Sequence, residues 1–181
     1  HDKGIRGINQ LLAHQLVDKL KQHGNVYISF EKGLRSDLEK YRINIDPADI
    51  HHVMAFSDLY IGDSQTMAAE AGVLGTPFIR YNDFAGRIGY LNELENKYKL
   101  GYGISPSEPG KLFSTMNYLL SLPSLKEKFS IRRLKMLKEK IDVNQFLIWF
   151  IEHFPDSKSI MRQNTTYQYR FATIPDKQTA D

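Results

Sequence analysis

The chain of 181 residues contains no cysteine. That single absence excludes disulfides, thiolate metal sites and cysteine nucleophiles together, and it fits a reducing, cytoplasmic setting. Long apolar runs are missing too. None approaches the roughly 18 residues that span a bilayer, and no secretory signal pattern opens the chain. An excess of one charge is also lacking. The net charge of +3 is too small to point to nucleic acid, which usually needs a clustered basic face. His51 and His52 are adjacent, so on a helix they point to different sides and make a poor metal pair. No His-x-x-x-His pattern exists either, so neither a metal nor a cofactor is expected. What remains is an ordinary globular composition. Hydrophobic residues at 41% and charged residues at 25% suffice for one core and exclude global disorder.

Hydrophobic spacing reads as alternating helices and strands. Residues 7–23 carry Ile8, Leu11, Leu12, Leu16 and Leu20 at helical spacing, with Gly24 as a C-cap. A short strand follows at 25–30, a weak one at 42–45, and a short helix capped by Asp49 runs through Phe56. The stretch 59–62 reads as a buried strand, 65–74 as a helix closed by Gly75, and 78–80 as the next strand after Thr76-Pro77. Strand, helix and strand in so short a span make a βαβ unit, which joins parallel strands. A helix at 90–98 and a strand at 102–104 come next, then three helices. Ser107, Ser124 (with Glu127) and Asp142 (with Gln145) are their N-cap candidates. From Pro155 the periodicity fades. The expected organisation is one α/β domain over 1–154, a Rossmann-like parallel sheet flanked by helices, with 155–181 as a tail or loosely attached segment.

The segment from Gly62-Asp63-Ser64 to Leu74-Gly75-Thr76-Pro77 carries the functional reading. A helix there begins at the carboxyl end of a parallel strand, where open α/β sheets bind ligands. Its first N–H groups have no partner inside the helix, and the helix dipole adds positive potential, so anionic phosphate is the natural guest. Ser64 and Thr66 add hydroxyls. Glu70 lies four residues after Thr66, on roughly the same side, and helical side chains lean back toward the N-terminus. Ser64 to Glu70 rises roughly 9 Å, about the span from a diphosphate to the ribose of a nucleoside diphosphate. A carboxylate there can accept from both ribose hydroxyls.

These residues resemble a known architecture. The stretch 1–154 is similar to the C-terminal domain of glycosyltransferase-B proteins, to the non-hydrolysing UDP-N-acetylglucosamine 2-epimerases and, more closely, to an uncharacterised prokaryotic family, domain of unknown function 354. The epimerase pattern of Asp-Ser-Gly-Gly, Glu-Glu, Leu-Gly-x-Pro and a strand-ending Arg is kept here at Asp63, Ser64, Glu70, Leu74, Gly75, Pro77 and Arg80. It departs at Gln65 and Thr66, where the epimerases have the glycine pair. The resemblance implies a nucleotide-sugar site, most simply for a UDP-sugar, formed by Ser64, Gln65, Thr66 and Glu70. It also implies a phosphate contact from His1 and a strand-end place for Arg80. It further implies a partner N-terminal domain holding the catalytic groups and an activity in sugar transfer, as in polysaccharide biosynthesis. The chain by itself is then expected to be inactive. Beginning at a histidine, it reads as a fragment whose first strand precedes residue 1, with a gap expected in the sheet. A UDP-sugar 2-epimerase and a non-catalytic ligand-binding or interaction domain are the alternatives.

Each signal has a plainer reading. Ser64, Thr66 and Glu70 fit an ordinary capped helix with a solvated glutamate, and His1 to Gly4 fit a ragged terminus. Glu31-Lys32-Gly33 and Arg80 to Asp83 follow strands and either line the cleft or form surface turns. The loop 84–90 is a closing flap or a plain connection. The stretch 126–140 holds seven Lys or Arg and two Glu; it reads as a solvated face, with peripheral membrane contact as the minority reading. Phe146, Leu147, Trp149, Phe150 and Phe154 read as a core-packing helix rather than a cofactor box. Asn164-Thr165-Thr166 matches a glycosylation acceptor, with nothing else to suggest secretion.

Overall fold

A computed structural model describes residues 4–30 and 37–173. The fold is α/β: a parallel sheet flanked by helices, in a Rossmann-like arrangement. Two compact units divide the chain, His1–Ser130 and Ile131–Asp181. Among the described residues no helix is long and apolar enough to cross a membrane.

The first unit is built on three strands, β1 (Tyr60–Gly62), β2 (Phe78–Tyr81) and β3 (Gly101–Ile104), in the order β1-β2-β3 and all parallel. Tyr60 lies opposite Phe78, and Phe78 opposite Gly101. Helix α3 (Gln65–Leu74) joins β1 to β2 as the expected βαβ unit. Its small inner residues Ala68 and Ala71 are wholly buried, which lets the helix lie close to the sheet. The helix stops at Gly75, whose φ of +90° is left-handed and suits a residue without a Cβ. Thr76 then donates its hydroxyl to the carbonyl of Met54 at 2.7 Å, tying the turn to α2 (Ile50–Phe56). Phe78 and Ile79 in the middle strand are fully buried. Each such side chain contributes about 1.5–3 kcal/mol of hydrophobic stabilisation.

Helix α1 (Gln10–Leu20) is shorter than its periodic pattern because Asn9 caps it, accepting from the N–H of Leu12 at 2.9 Å. The short helical turn before α2 is capped by Asp46 rather than by Asp49. Residues 89–97 form one α-turn, α4 (Gly89–Asn92), followed by a π-helical turn (Glu93–Lys97). Helix α5 (Pro109–Ser121) starts with Pro109 in its first turn, and Ser107 gives no side-chain cap. Two expected strands are reduced to a single parallel bridge between Ile28 and Arg42. The expected buried strand at 59–62 is instead an edge. Its residues are half-exposed where β2 is buried throughout, because no strand pairs with its outer side among the described residues.

Helix α6 (Leu125–Lys138) carries the chain from the first unit into the second. In the second unit, α7 (Val143–Glu152) opens on the expected capping box: Asp142 accepts from the backbone and side-chain amides of Gln145, both at 3.1 Å. The expected domain end at Phe154 falls inside this unit. Residues 156–171 form α8 (Asp156–Gln163) and a 3-10 segment (Thr165–Phe171) rather than a loose tail. The reason is aromatic packing at the far end of the segment. Tyr167 stacks on Trp149 with ring centroids 4.8 Å apart, and Phe171 meets Phe146 edge-on at 5.8 Å. The N–H of Asp142 also donates to the carbonyl of Phe171 at 2.6 Å. Asn164 of the glycosylation-like triplet accepts from the N–H of Thr166 and caps the 3-10 segment.

Candidate functional site

The N-terminus of α3 stands at the carboxyl end of β1. The chain bends at Asp63 and is extended at Ser64, whose hydroxyl accepts from the N–H of Met67 at 3.3 Å. One of the orphan donors of the helix is thereby satisfied from within. The N–H groups of Gln65 and Thr66, one position earlier on the turn, have no acceptor among the described residues. Thr66 is exposed, and Ser64 and Gln65 are half-buried.

Gln65 and Arg80 meet each other rather than open solvent. The guanidinium of Arg80 is completely buried, with its Nη1 donating to Gln65 Oε1 at 2.9 Å and to Asn82 Oδ1 at 3.2 Å. Its Nε and Nη2 donate to Glu95 Oε1 at 3.0 and 2.8 Å. Burial pushes the Glu95 carboxyl above its ordinary range, and the hydrogen bonds and charge of Arg80 pull against that shift. Asn82 carries the network onward by donating to the carbonyl of Asp63 at 2.6 Å. Arg80 thus sits in the core as a brace between the π-helical turn, β2 and the start of α3, and not as a strand-end surface cation.

Glu70 is about one-third exposed, and its carboxylate lies 3.4 Å from Nε2 of His51 on α2. Beneath it, the phenol of Tyr60 is pushed well above its ordinary range, first by burial and then by the negative charges of Asp63 and Glu70. Two carboxylates, Asp63 and Glu70, thus act on the Tyr60 phenol, and His51 lies within reach of Glu70.

The loop 4–9 completes the carboxyl edge of the sheet. Arg6 donates from its backbone to Asp83 at 2.8 Å and from its guanidinium to the same carboxylate at 2.8 Å. This holds the Asp83 carboxyl below the usual carboxylate range. Ile8 donates its N–H to Asp63 Oδ2 at 3.2 Å. A Cβ at Gly7 would run into the Asp63 side chain, so glycine permits this close approach. His1 and the segment Glu31-Lys32-Gly33 lie outside the described residues. The loop 84–90 is held as a turn, with Asn82 and Asn92 bonding into it.

Ser64, Gln65, Thr66 and Glu70 are thus carried on one helix and its cap at the sheet edge, and Arg80 is brought against Gln65 alone of them. Sequence reasoning missed Glu95 and His51 as partners, since Glu95 lies in a polar helical turn and His51 in a short apolar helix, and neither segment carries a signal of its distant contact. Asp63 and Asp83 were findable by position, one residue after β1 and two residues after β2. Among the described residues, no group of three or more His, Asp or Glu side chains is arranged to hold a metal ion. No protein-family model, no curated protein and no solved structure matches this chain.

Proposed function

We propose that the chain is the nucleotide-diphospho-sugar-binding half of a glycosyltransferase-B-type sugar transferase. The observation that carries the reading is the pair of N–H groups at Gln65 and Thr66, which have no acceptor among the described residues, at the carboxyl end of a parallel strand. A diphosphate oxygen is the guest such donors favour. Thr66 adds its hydroxyl, Ser64 fixes the helix tip, and Glu70 receives the ribose hydroxyls once His51 yields its contact. Leaving of the nucleoside diphosphate builds negative charge on that group. Donors fixed by the buried Arg80 brace stabilise this charge more in the transition state than in the ground state. The base that activates the acceptor belongs to a partner domain.

A second reading is a non-catalytic binding or interaction domain of the same fold. It is favoured by the internal use of Ser64 and Gln65, which leaves fewer side chains for substrate. A UDP-sugar 2-epimerase is less well supported, because Gln65 is committed to bracing Arg80 where that pattern has glycine.

Titration calorimetry with UDP and UDP-N-acetylglucosamine tests the reading. Micromolar binding is expected, weakened about tenfold in Glu70→Ala, a loss of roughly 1.4 kcal/mol. Unchanged affinity in that variant removes the ribose role. Absence of binding by both ligands removes the nucleotide reading altogether.

A further inference from the structure

Helix α7 carries more apolar side chains than the second unit buries. Seven of its ten residues are apolar, yet none is buried. Phe146, Trp149 and Phe150 are half-buried, meeting one another and the rings of Tyr167 and Phe171. Val143, Leu147 and Ile151 follow the i, i+4, i+8 spacing of one helix face, and Phe154 extends that line just past the helix end. All four are exposed, Ile151 to 71% and Phe154 to 61%, and Ile148 beside them is exposed as well. A helix apolar on nearly every side ordinarily lies buried. Single exposed apolar residues need no explanation, whereas a contiguous row of them marks a contact surface.

Charge identifies what covers the row. Residues 131–173 hold eight Lys or Arg against four Asp or Glu, whereas residues 1–130 hold fifteen of each. The positive excess of the chain is therefore gathered in the second unit. A compact unit of this length has a radius of gyration of about 9 Å, close to the Debye length of about 8 Å at physiological salt. Its excess charge is thus felt at every face, the α7 row included. The part of α6 within this unit repeats the pairing of apolar and basic groups. Ile131 and Leu134 are exposed, and the exposed Lys135 and Lys138 join them at the spacing of one face. Lysine stems cover apolar surface while the ammonium reaches toward polar groups, as in helices that lie in a lipid interface. A second copy docked on this face sets one positive excess against another.

We propose that the second unit docks on an anionic lipid surface, with the α7 row entering the boundary between headgroups and acyl chains. Such a surface answers both properties at once. Its headgroups attract the lysines and arginines across a Debye length, and its acyl boundary takes up Ile151, Phe154 and their neighbours. The contact is peripheral, since no described helix is long and apolar enough to span a bilayer. None of Ser64, Gln65, Thr66 and Glu70 takes part, so the inference does not depend on the nucleotide reading.

Co-sedimentation of the full chain with vesicles is the test, using phosphatidylcholine alone and phosphatidylcholine with roughly a third phosphatidylglycerol. Binding to the anionic vesicles is expected to exceed binding to the neutral ones by about tenfold or more. It is expected to fall steeply when added salt shortens the Debye length to about 3 Å. Ile151→Asp and Val143→Asp, each at an exposed position, are each expected to weaken anionic binding by about tenfold. Lys135→Glu with Lys138→Glu is expected to weaken it by a similar factor. Near-ultraviolet dichroism of Trp149 shows which variants keep their ring packing, and the lipid and salt comparisons on the parent decide the matter whichever variants fold. Equal binding to both vesicle types, or binding to neither, overturns the proposal. So does anionic binding that resists salt, or that survives either the aspartate or the glutamate changes in folded variants. A dimer in sedimentation equilibrium without lipid, dissociated by Ile151→Asp, also overturns it, because a second copy then covers the row.

Discussion

Arg80 illustrates how far a single side chain can depart from its surroundings in sequence. It follows two apolar residues at the end of a strand and reads as a cation at the sheet edge. In the fold it is fully buried, and its charge is balanced by Glu95 fifteen residues later. Removing one member of such a pair leaves an uncompensated charge in the core, whereas replacing both can be nearly neutral. Glu95→Gln is expected to lower stability by about 3–5 kcal/mol in urea unfolding. The double change Arg80→Met with Glu95→Leu is expected to recover most of that loss. A Glu95→Gln variant as stable as the parent would show that the brace is not structural. Glu70, by contrast, was legible as a residue of the helix that follows β1. What sequence could not supply was its contact with His51, because α2 and α3 meet only through the packing of their faces.

At the scale of elements, boundaries set by local side-chain chemistry were readable. The start of α7 at Asp142 and Gln145, and the end of α3 at Gly75, each rest on contacts within four residues. The short strands were less legible, since three or four residues carry little periodicity and depend on neighbours for their hydrogen bonds. The segments around Ile28 and Arg42 read as strands but make one bridge only. The loop 4–9 is an element without regular structure, held by carboxylates from two strand ends. Because Arg6 keeps Asp83 ionised to lower pH in the folded chain, the folded form binds fewer protons in that window. Its contribution to stability is therefore present above the ordinary carboxylate range, near pH 4, and is lost as pH falls through the depressed folded value. Asp83→Asn is expected to flatten this part of the acid limb of a stability-versus-pH curve. The effect is small, because the pair is exposed to solvent. An acid limb identical in parent and variant would show that the contact does not persist in solution.

On the scale of the whole molecule, the α/β architecture follows from the alternation of strand and helix patterns. The division into units does not. Sequence periodicity fades at Pro155, yet residues up to Phe171 return to α7 through Tyr167 and Phe171, and the second unit begins at Ile131. A chain ending at Phe154 is expected to lose the ring packing around Trp149. The single tryptophan makes this measurable as a red shift in fluorescence and a collapse of near-ultraviolet dichroism; unchanged spectra would restore the reading of 155–181 as a tail. By itself the sequence determined what depends on near neighbours: the helical turns, several caps, the βαβ unit and the placing of Ser64, Gln65, Thr66 and Glu70 on one helix and its cap. The tertiary structure decided what depends on distant partners. It buried Arg80 against Glu95, made β1 an edge and gathered the aromatic rings of the second unit. The physical reason is that hydrogen-bond and spacing rules act within a few residues of chain, whereas burial and charge pairing act through space between segments whose separation along the chain carries no signal of their contact.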